Sequence, residues 1–340
     1  MVDTGVMSFP DGFWLGTMAS SVGAEGAAPT SDWSGWEEAG RAPRSADGNG
    51  FVTRAADDLA LLASHGIRRH RLTLEWARLE PTRDEHDVRE VTRYLDVLRT
   101  ARRLGVEVWV CLHHLSLPGW FSEDERGFLD ERMARRVWPG HVDWVAETFG
   151  DLVSGWIPMH EPVTYAALAY GEGLVPPGRR DEDDHMTVER AIRAANREAA
   201  RLLHDGNAPV VCAHGAGVDP EELKLDAEVF DAIGLDHVAV DDGSLLVALR
   251  RLAEDIGADI PLAITACGVG TSDEDERAGK LAASLAQVQE AISEGLDVRG
   301  FFYRTAIDGY EWHDGFNVSW GLFDRDRNPR PALDVLRDEI

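Results

Sequence analysis

Eight short apolar runs recur along this chain, at 13–18, 69–74, 107–113, 152–159, 209–214, 232–238, 261–266 and 298–303. Most are separated by longer stretches whose apolar residues fall three and four apart, the period of a helix with one buried face. Leu59, Leu62 and Ala63 carry that pattern within 55–64, and Leu95, Leu98 and Ala101 carry it within 91–104. Similar patterns cover 187–204, 280–292 and 331–340. Unbroken strand–helix alternation predicts an α/β fold with a parallel sheet, and eight repeats predict a closed (β/α)8 barrel. An open doubly wound sheet would need a glycine-rich phosphate loop early in the chain, and Phe13-Trp14-Leu15-Gly16 leads into none. No stretch has linker composition and no internal repeat is present, so 1–340 is expected to form a single barrel.

Composition narrows the partners. The chain carries 61 acidic against 34 basic residues, a formal net charge of −27, which would repel a nucleic-acid backbone. No apolar stretch has the length of a membrane span, and 1–10 lacks the basic start and apolar run of a secretory leader. Cys111, Cys212 and Cys267 are odd in number and lie in or beside apolar segments, a pattern that fits a reducing compartment rather than a disulfide framework. The expectation is a cytoplasmic protein that acts on a small molecule without cofactor or metal, with no nucleic-acid or membrane partner.

The segment richest in chemistry is Trp156-Ile157-Pro158-Met159-His160-Glu161-Pro162. An apolar strand ends there in an imidazole and a carboxylate, and proline stops its continuation. In a barrel the loops after the strands build the active-site face, so Glu161 would project into a pocket. Limited solvation there would raise its pKa and suit it to general-acid work. The alternative is a rim glutamate paired with a neighbouring arginine. The loop-like segments 23–50 and 176–185 follow strands and would cover the same face.

Several motifs, in order and spacing, resemble glycoside hydrolase family 1. They are Phe9-Pro10-Asp11-Gly12-Phe13-Trp14-Leu15-Gly16, Arg71 within 71–78, His113-His114-Leu115-Ser116-Leu117-Pro118, His160-Glu161-Pro162, Ile264-Thr265-Ala266-Cys267-Gly268, and Asp308-Gly309-Tyr310-Glu311-Trp312 with Trp320-Gly321-Leu322 beyond it. The resemblance covers nearly the whole chain and implies a TIM-type (β/α)8 barrel that cleaves a β-glycosidic bond. Such enzymes use two carboxylates about 5–5.5 Å apart. Glu161 matches the acid/base, and Ala266 stands where the nucleophilic glutamate is expected. His114, Glu311 and Trp312 match residues that grip the sugar, with Arg71 and Trp320 in matching segments.

Other positions depart from the family pattern. Gly23, Leu115, His160, Val238 and Arg304 stand where glutamine, tryptophan, asparagine, tyrosine and tryptophan are expected. Arg304 could hold an anionic group on the substrate, or pair internally with Asp236, Glu311 or Asp308. Asp236, or a water held by His160, could supply a base in place of the missing glutamate. Three readings of Ala266 follow: a glycosidase written without its nucleophile, a natural enzyme with inverting-like or elimination chemistry, and a non-catalytic sugar-binding barrel. A thiol nucleophile at Cys267 is disfavoured because strand alternation turns it away from a pocket that Ala266 faces. A metal site built from His114, His160, Glu161 and His237 is disfavoured because no ligand-spacing motif supports it. His113 is expected to point into the barrel wall.

Overall fold

A computed structural model describes residues 9–215, 217–238, 243–257 and 259–340. Residues 1–8, most of the stretch expected to lack a leader, lie outside them. Seven strands form one parallel sheet: β1 (Trp14–Met18), β2 (Arg69–Thr73), β3 (Glu107–His113), β4 (Gly155–Met159), β5 (Ile233–His237), β6 (Leu262–Cys267) and β7 (Val298–Arg304), in the order β4-β3-β2-β1-β7-β6-β5. The two ends of this curled sheet are joined by residues 210–214. On one side Val210 and Ala213 bridge to Trp156 and His160, and on the other Val211 and His214 bridge to Ala232 and Leu235. The expected fifth run is therefore present as the eighth stave of the (β/α)8 barrel, held by single bridges rather than a continuous ladder.

The helical stretches are longer than periodicity alone indicates. Phe51–Ser64, Val88–Leu104, Glu182–Leu203 and Glu274–Ser293 each gain a turn or so at the N-terminus. Asp87, Asp181 and Asp273 cap the last three of these, accepting backbone N–H groups that would otherwise lack partners. One long helix, Glu131–Phe149, does not appear in the reading of apolar periods. Pro139 lies inside it, where sequence rules place a break.

Two apolar layers sit on either side of the strands. The inner one fills the ring with Met18, Trp109, Cys111, Ile157, Ala266 and Phe302 among others, and the Trp14 ring packs against Trp109 at 4.8 Å. Helices cover the outside with a far larger cluster. Strand alternation sorts neighbours between the layers: Ala266 belongs to the inner one and Cys267 to the outer. His113 also points outward, with its ring edge-on to Tyr165 at 4.8 Å, and burial pushes its pKa down to about 3. No helix among the described residues is long and apolar enough to cross a membrane.

Closure depends on close backbone approach. A Cβ at Gly234 would come within 2.0 Å of the Cys212 carbonyl oxygen on the closing segment. Gly234→Ala is expected to lower stability by about 1–3 kcal/mol, as overpacking does. Gly140→Ala, on an exposed helix position with nothing within 4 Å, should raise stability by about 0.5–1 kcal/mol. Urea unfolding of both variants checks the pair.

Candidate active site

The barrel mouth is organised around a buried cation. Arg71 is the inward residue of β2 and is fully shielded from solvent. Its Nη1 reaches across the ring and donates to the Thr265 carbonyl on β6 at 2.9 Å, and its Nη2 lies 3.0 Å from His160 Nδ1. The same imidazole nitrogen lies 2.8 Å from Asp236 Oδ2. A buried guanidinium and a buried carboxylate thus share one histidine.

Asp236 gets its position from a register shift. Leu235 pairs with Ile264 and Asp236 pairs with Ala266, which leaves Thr265 as an extra residue on β6. Such a bulge re-aims the side chains beside it. The Thr265 hydroxyl donates to Asp236 Oδ1, and the shifted register sets Asp236 opposite Ala266 on the neighbouring strand. Ala266 itself is buried in the inner apolar layer.

Glu161 follows β4 with φ 43° and ψ 61°, a left-handed conformation that non-glycine residues seldom adopt. Its N–H donates to the Ala213 carbonyl of the closing segment, and Pro162 starts a short helix directly after it. A strained backbone held by surrounding structure is common where side chains do chemistry. The carboxylate passes close to Gly215, where a Cβ would sit 2.9 Å from Oε2. His160 Nε2 lies 3.9 Å from Glu161 Oε1.

His160, Glu161 and Asp236 offer ligand-type atoms that all lie within 4.8 Å of one another. Their electrostatics point in opposite directions. Burial raises the pKa of Glu161, and the Asp236 charge raises it further against the pull of His160. Burial would also raise Asp236, but His160, Arg71 and the Thr265 hydroxyl outweigh it and hold this carboxyl below its ordinary value. Glu161 is thereby the more readily protonated of the two and Asp236 the more readily ionised. The three side chains fit a divalent cation poorly, because a guanidinium nitrogen already stands 3.0 Å from His160 Nδ1. His237 lies outside this group and lines a separate cavity with Cys267.

A second cluster follows β7. Arg304 donates to Glu311 and lies over the Trp320 ring at 4.5 Å. Of the three internal partners open to Arg304, Glu311 is the one it takes, and Asp308 pairs with Arg330. Burial raises the pKa of Glu311 against the opposing pull of Arg304. Trp312 packs edge-on against Trp33 at 4.6 Å. His114 joins the clusters: its ring stacks on His160 at 3.8 Å and lies 5.8 Å from Trp312. Burial, reinforced by surrounding cations, pushes His114 well below the ordinary range and keeps it neutral. The structure therefore brings the sequence-selected residues into one mouth. The reading of motifs missed Thr265 and Gly215, whose parts depend on a strand register and a close approach.

Barrel and mouth together define a (β/α)8 protein with two carboxylates at the C-terminal ends of its strands. The sequence model of Glycosyl hydrolase family 1 matches residues 6–219 and 230–333, and the chain belongs to that family. Among curated relatives, Beta-glucosidase 34 of Oryza sativa subsp. japonica is 29% identical over 225 residues, 61% of this chain and 40% of that protein. Beta-glucosidase 9 of Arabidopsis thaliana is 24% identical over 242 residues, 67% of this chain and 45% of that protein. The chain thus spans less than half the length of these relatives. Among solved structures, a β-glycosidase from Pyrococcus horikoshii superposes with a TM-score of 0.87 at 25% identity, covering 97% of this chain and 94% of that one. A β-glucosidase from Thermotoga maritima in complex with cyclophellitol gives 0.84 at 18% identity, covering 98% and 97%.

Removing one member of a buried charge pair leaves the other uncompensated, at a cost of about 3–5 kcal/mol. Arg71→Met is expected to lose stability in that range. The Arg71→Met/Asp236→Asn double variant should lose less than the sum of the two single changes. Additive losses in denaturant unfolding would show that the two charges do not stabilise each other.

Proposed function

We propose that this chain is a glycoside hydrolase that cleaves the β-glycosidic bond of a small glycoside. In this reading Glu161 is the acid/base and Asp236 is the second carboxylate, in place of the glutamate that Ala266 replaces. The observation that carries it is the pair itself: two carboxyl groups with an oxygen of each within 4.8 Å of the other, shifted in opposite directions, one of them paired in register with Ala266. Environments that push two titratable groups apart mark out an acid and a base or nucleophile.

The short separation favours attack by the carboxylate over a water placed between the two groups, since the latter needs about 6.5–9.5 Å. Glu161 gives its proton to the departing oxygen as the bond to the anomeric carbon breaks, and an Asp236 oxygen bonds to that carbon. Water then displaces Asp236 while Glu161 takes back a proton. His160 shields Asp236, so the sugar has to move this ring off its stack on His114.

His114, Glu311 and Trp312 are the residues proposed to hold the sugar, with Arg71, His160 and Asp236 beneath it and Arg304 and Trp320 at the side. Because the hydroxyl-binding set departs from the usual one at several positions, the substrate is a specialised glycoside rather than a plain hexopyranoside. An anionic group on it could engage Arg304 only in competition with Glu311.

Aryl β-glycoside hydrolysis by the chain as it stands tests this reading. Asp236→Asn and Glu161→Gln should each reduce turnover by at least about 10³-fold, in the range seen when one member of a catalytic set is removed. Turnover should fall below the ordinary carboxylate range as Asp236 protonates, and fall again as pH rises past the elevated pKa of Glu161. Activity that appears only in Ala266→Glu and is indifferent to Asp236→Asn would overturn the assignment. It would point instead to an enzyme written without its nucleophile. Sugar binding without turnover in every form would favour a non-catalytic barrel.

A further inference from the structure

A second concavity opens on the loop face of the barrel, apart from the carboxylate pair. It encloses about 520 Å³ between the helix Asp32–Glu38, the segment after β3 and the Pro176-Pro177-Gly178 turn. Its floor is buried and polar, with Asp32, Ser122 and Tyr170, and its walls carry Trp36, Arg41 and Arg126. Arg179 also lines it but is committed to Asp184. Arg41 and Arg126 have no acid partner among the described residues, although the chain holds 61 acidic residues against 34 basic ones. Each nonetheless has a defined place. Arg41 lies 3.6 Å over the Trp36 ring, and both pack against Gly178, where a Cβ would come within 2.5 Å of Trp36 and 2.7 Å of the Arg41 guanidinium. Arg126 is set by a left-handed backbone, with φ 63°.

The floor adds no opposing charge. Asp32 Oδ1 accepts the Leu117 N–H at 3.0 Å, Ser122 hydrogen-bonds the same carboxyl group, and the Ser122 hydroxyl lies 3.3 Å from the Pro118 carbonyl. Burial pushes the Asp32 pKa up to about 8, so at neutral pH this acid is uncharged. Two guanidiniums without acid partners beside an uncharged polar floor make a cationic pocket, the complement of an oxyanion.

We propose that this groove is a binding site for a small-molecule phosphate group, gripped by Arg41 and Arg126 above the Asp32, Ser122 and Tyr170 floor. A phosphate dianion matches two cations in charge and offers more acceptor oxygens than a carboxylate does. Glu123 also lines the groove and is the charge that opposes such a ligand. The site does not depend on the hydrolytic reading.

Titration calorimetry of the full chain with inorganic phosphate at constant ionic strength tests it. One saturable site is expected, weakened about tenfold or more in Arg41→Gln/Arg126→Gln and strengthened severalfold in Glu123→Gln. Arg135→Gln/Arg201→Gln, which alters a groove elsewhere on the surface, should leave binding unchanged. No saturable binding to the unaltered chain would overturn the proposal. So would unchanged affinity in a folded Arg41/Arg126 double variant, or equal weakening in the Arg135/Arg201 control. If the double variant fails to fold, Glu123→Gln decides alone: unchanged or weaker binding sinks the site.

Discussion

The site rests on one buried cation. A guanidinium with no solvent access has to be neutralised and hydrogen-bonded where it stands. Arg71 meets much of that demand through the Thr265 carbonyl and His160 Nδ1, the same nitrogen that lies against the Asp236 carboxylate, while its Nε has no hydrogen-bond partner among the described residues. These contacts tie β2, β4, β5 and β6 together at one end of the barrel. They also explain why a carboxylate can stay ionised beneath the mouth despite complete burial. Once Asp236 is fixed as an anion, its field raises the neighbouring Glu161, so the charge that stabilises the structure also sets up the pair.

The second cluster follows the same logic nearer the surface. Arg304 stands where the family pattern calls for an aromatic ring, and it is neutralised by Glu311 while lying over Trp320. His114, held neutral, is a flat contact between the two clusters rather than a third charge. A sugar entering the mouth would thus meet an ion pair and stacked imidazoles where hydroxyl-binding amide and indole groups are usual. That is the physical content of the departures from the family pattern.

Much of the barrel was legible in the sequence because alternation and period are local properties. Seven of the eight runs became strands with ends displaced by a few residues, and the eighth closes the ring through isolated bridges. The helix Glu131–Phe149 was hidden by Pro139, a residue whose local preference is overridden by packing. The motif positions converge on one end of the barrel, and alternation turned Cys267 away from the inner layer that holds Ala266. The pairing of charges was not legible. Asp236, Glu311 and Asp308 were equivalent partners for Arg304 until the fold gave Asp308 to Arg330 and placed Asp236 beside His160. The proximity of Asp236 to Ala266 depends on a one-residue register shift at Thr265, which no composition or period encodes.

In the proposed function the barrel takes its second carboxylate, Asp236, from the strand that pairs with Ala266. The claim turns on the charge states of Glu161 and Asp236, which carboxyl ¹³C NMR titration of the full chain reads directly, with Glu161→Gln and Asp236→Asn for assignment. Glu161 is expected to titrate above its ordinary 4.5, Asp236 below its ordinary 3.8, and the Glu161 pKa to fall when Asp236 is replaced by asparagine. A Glu161 that titrates at its ordinary value and does not respond to Asp236→Asn would contradict it.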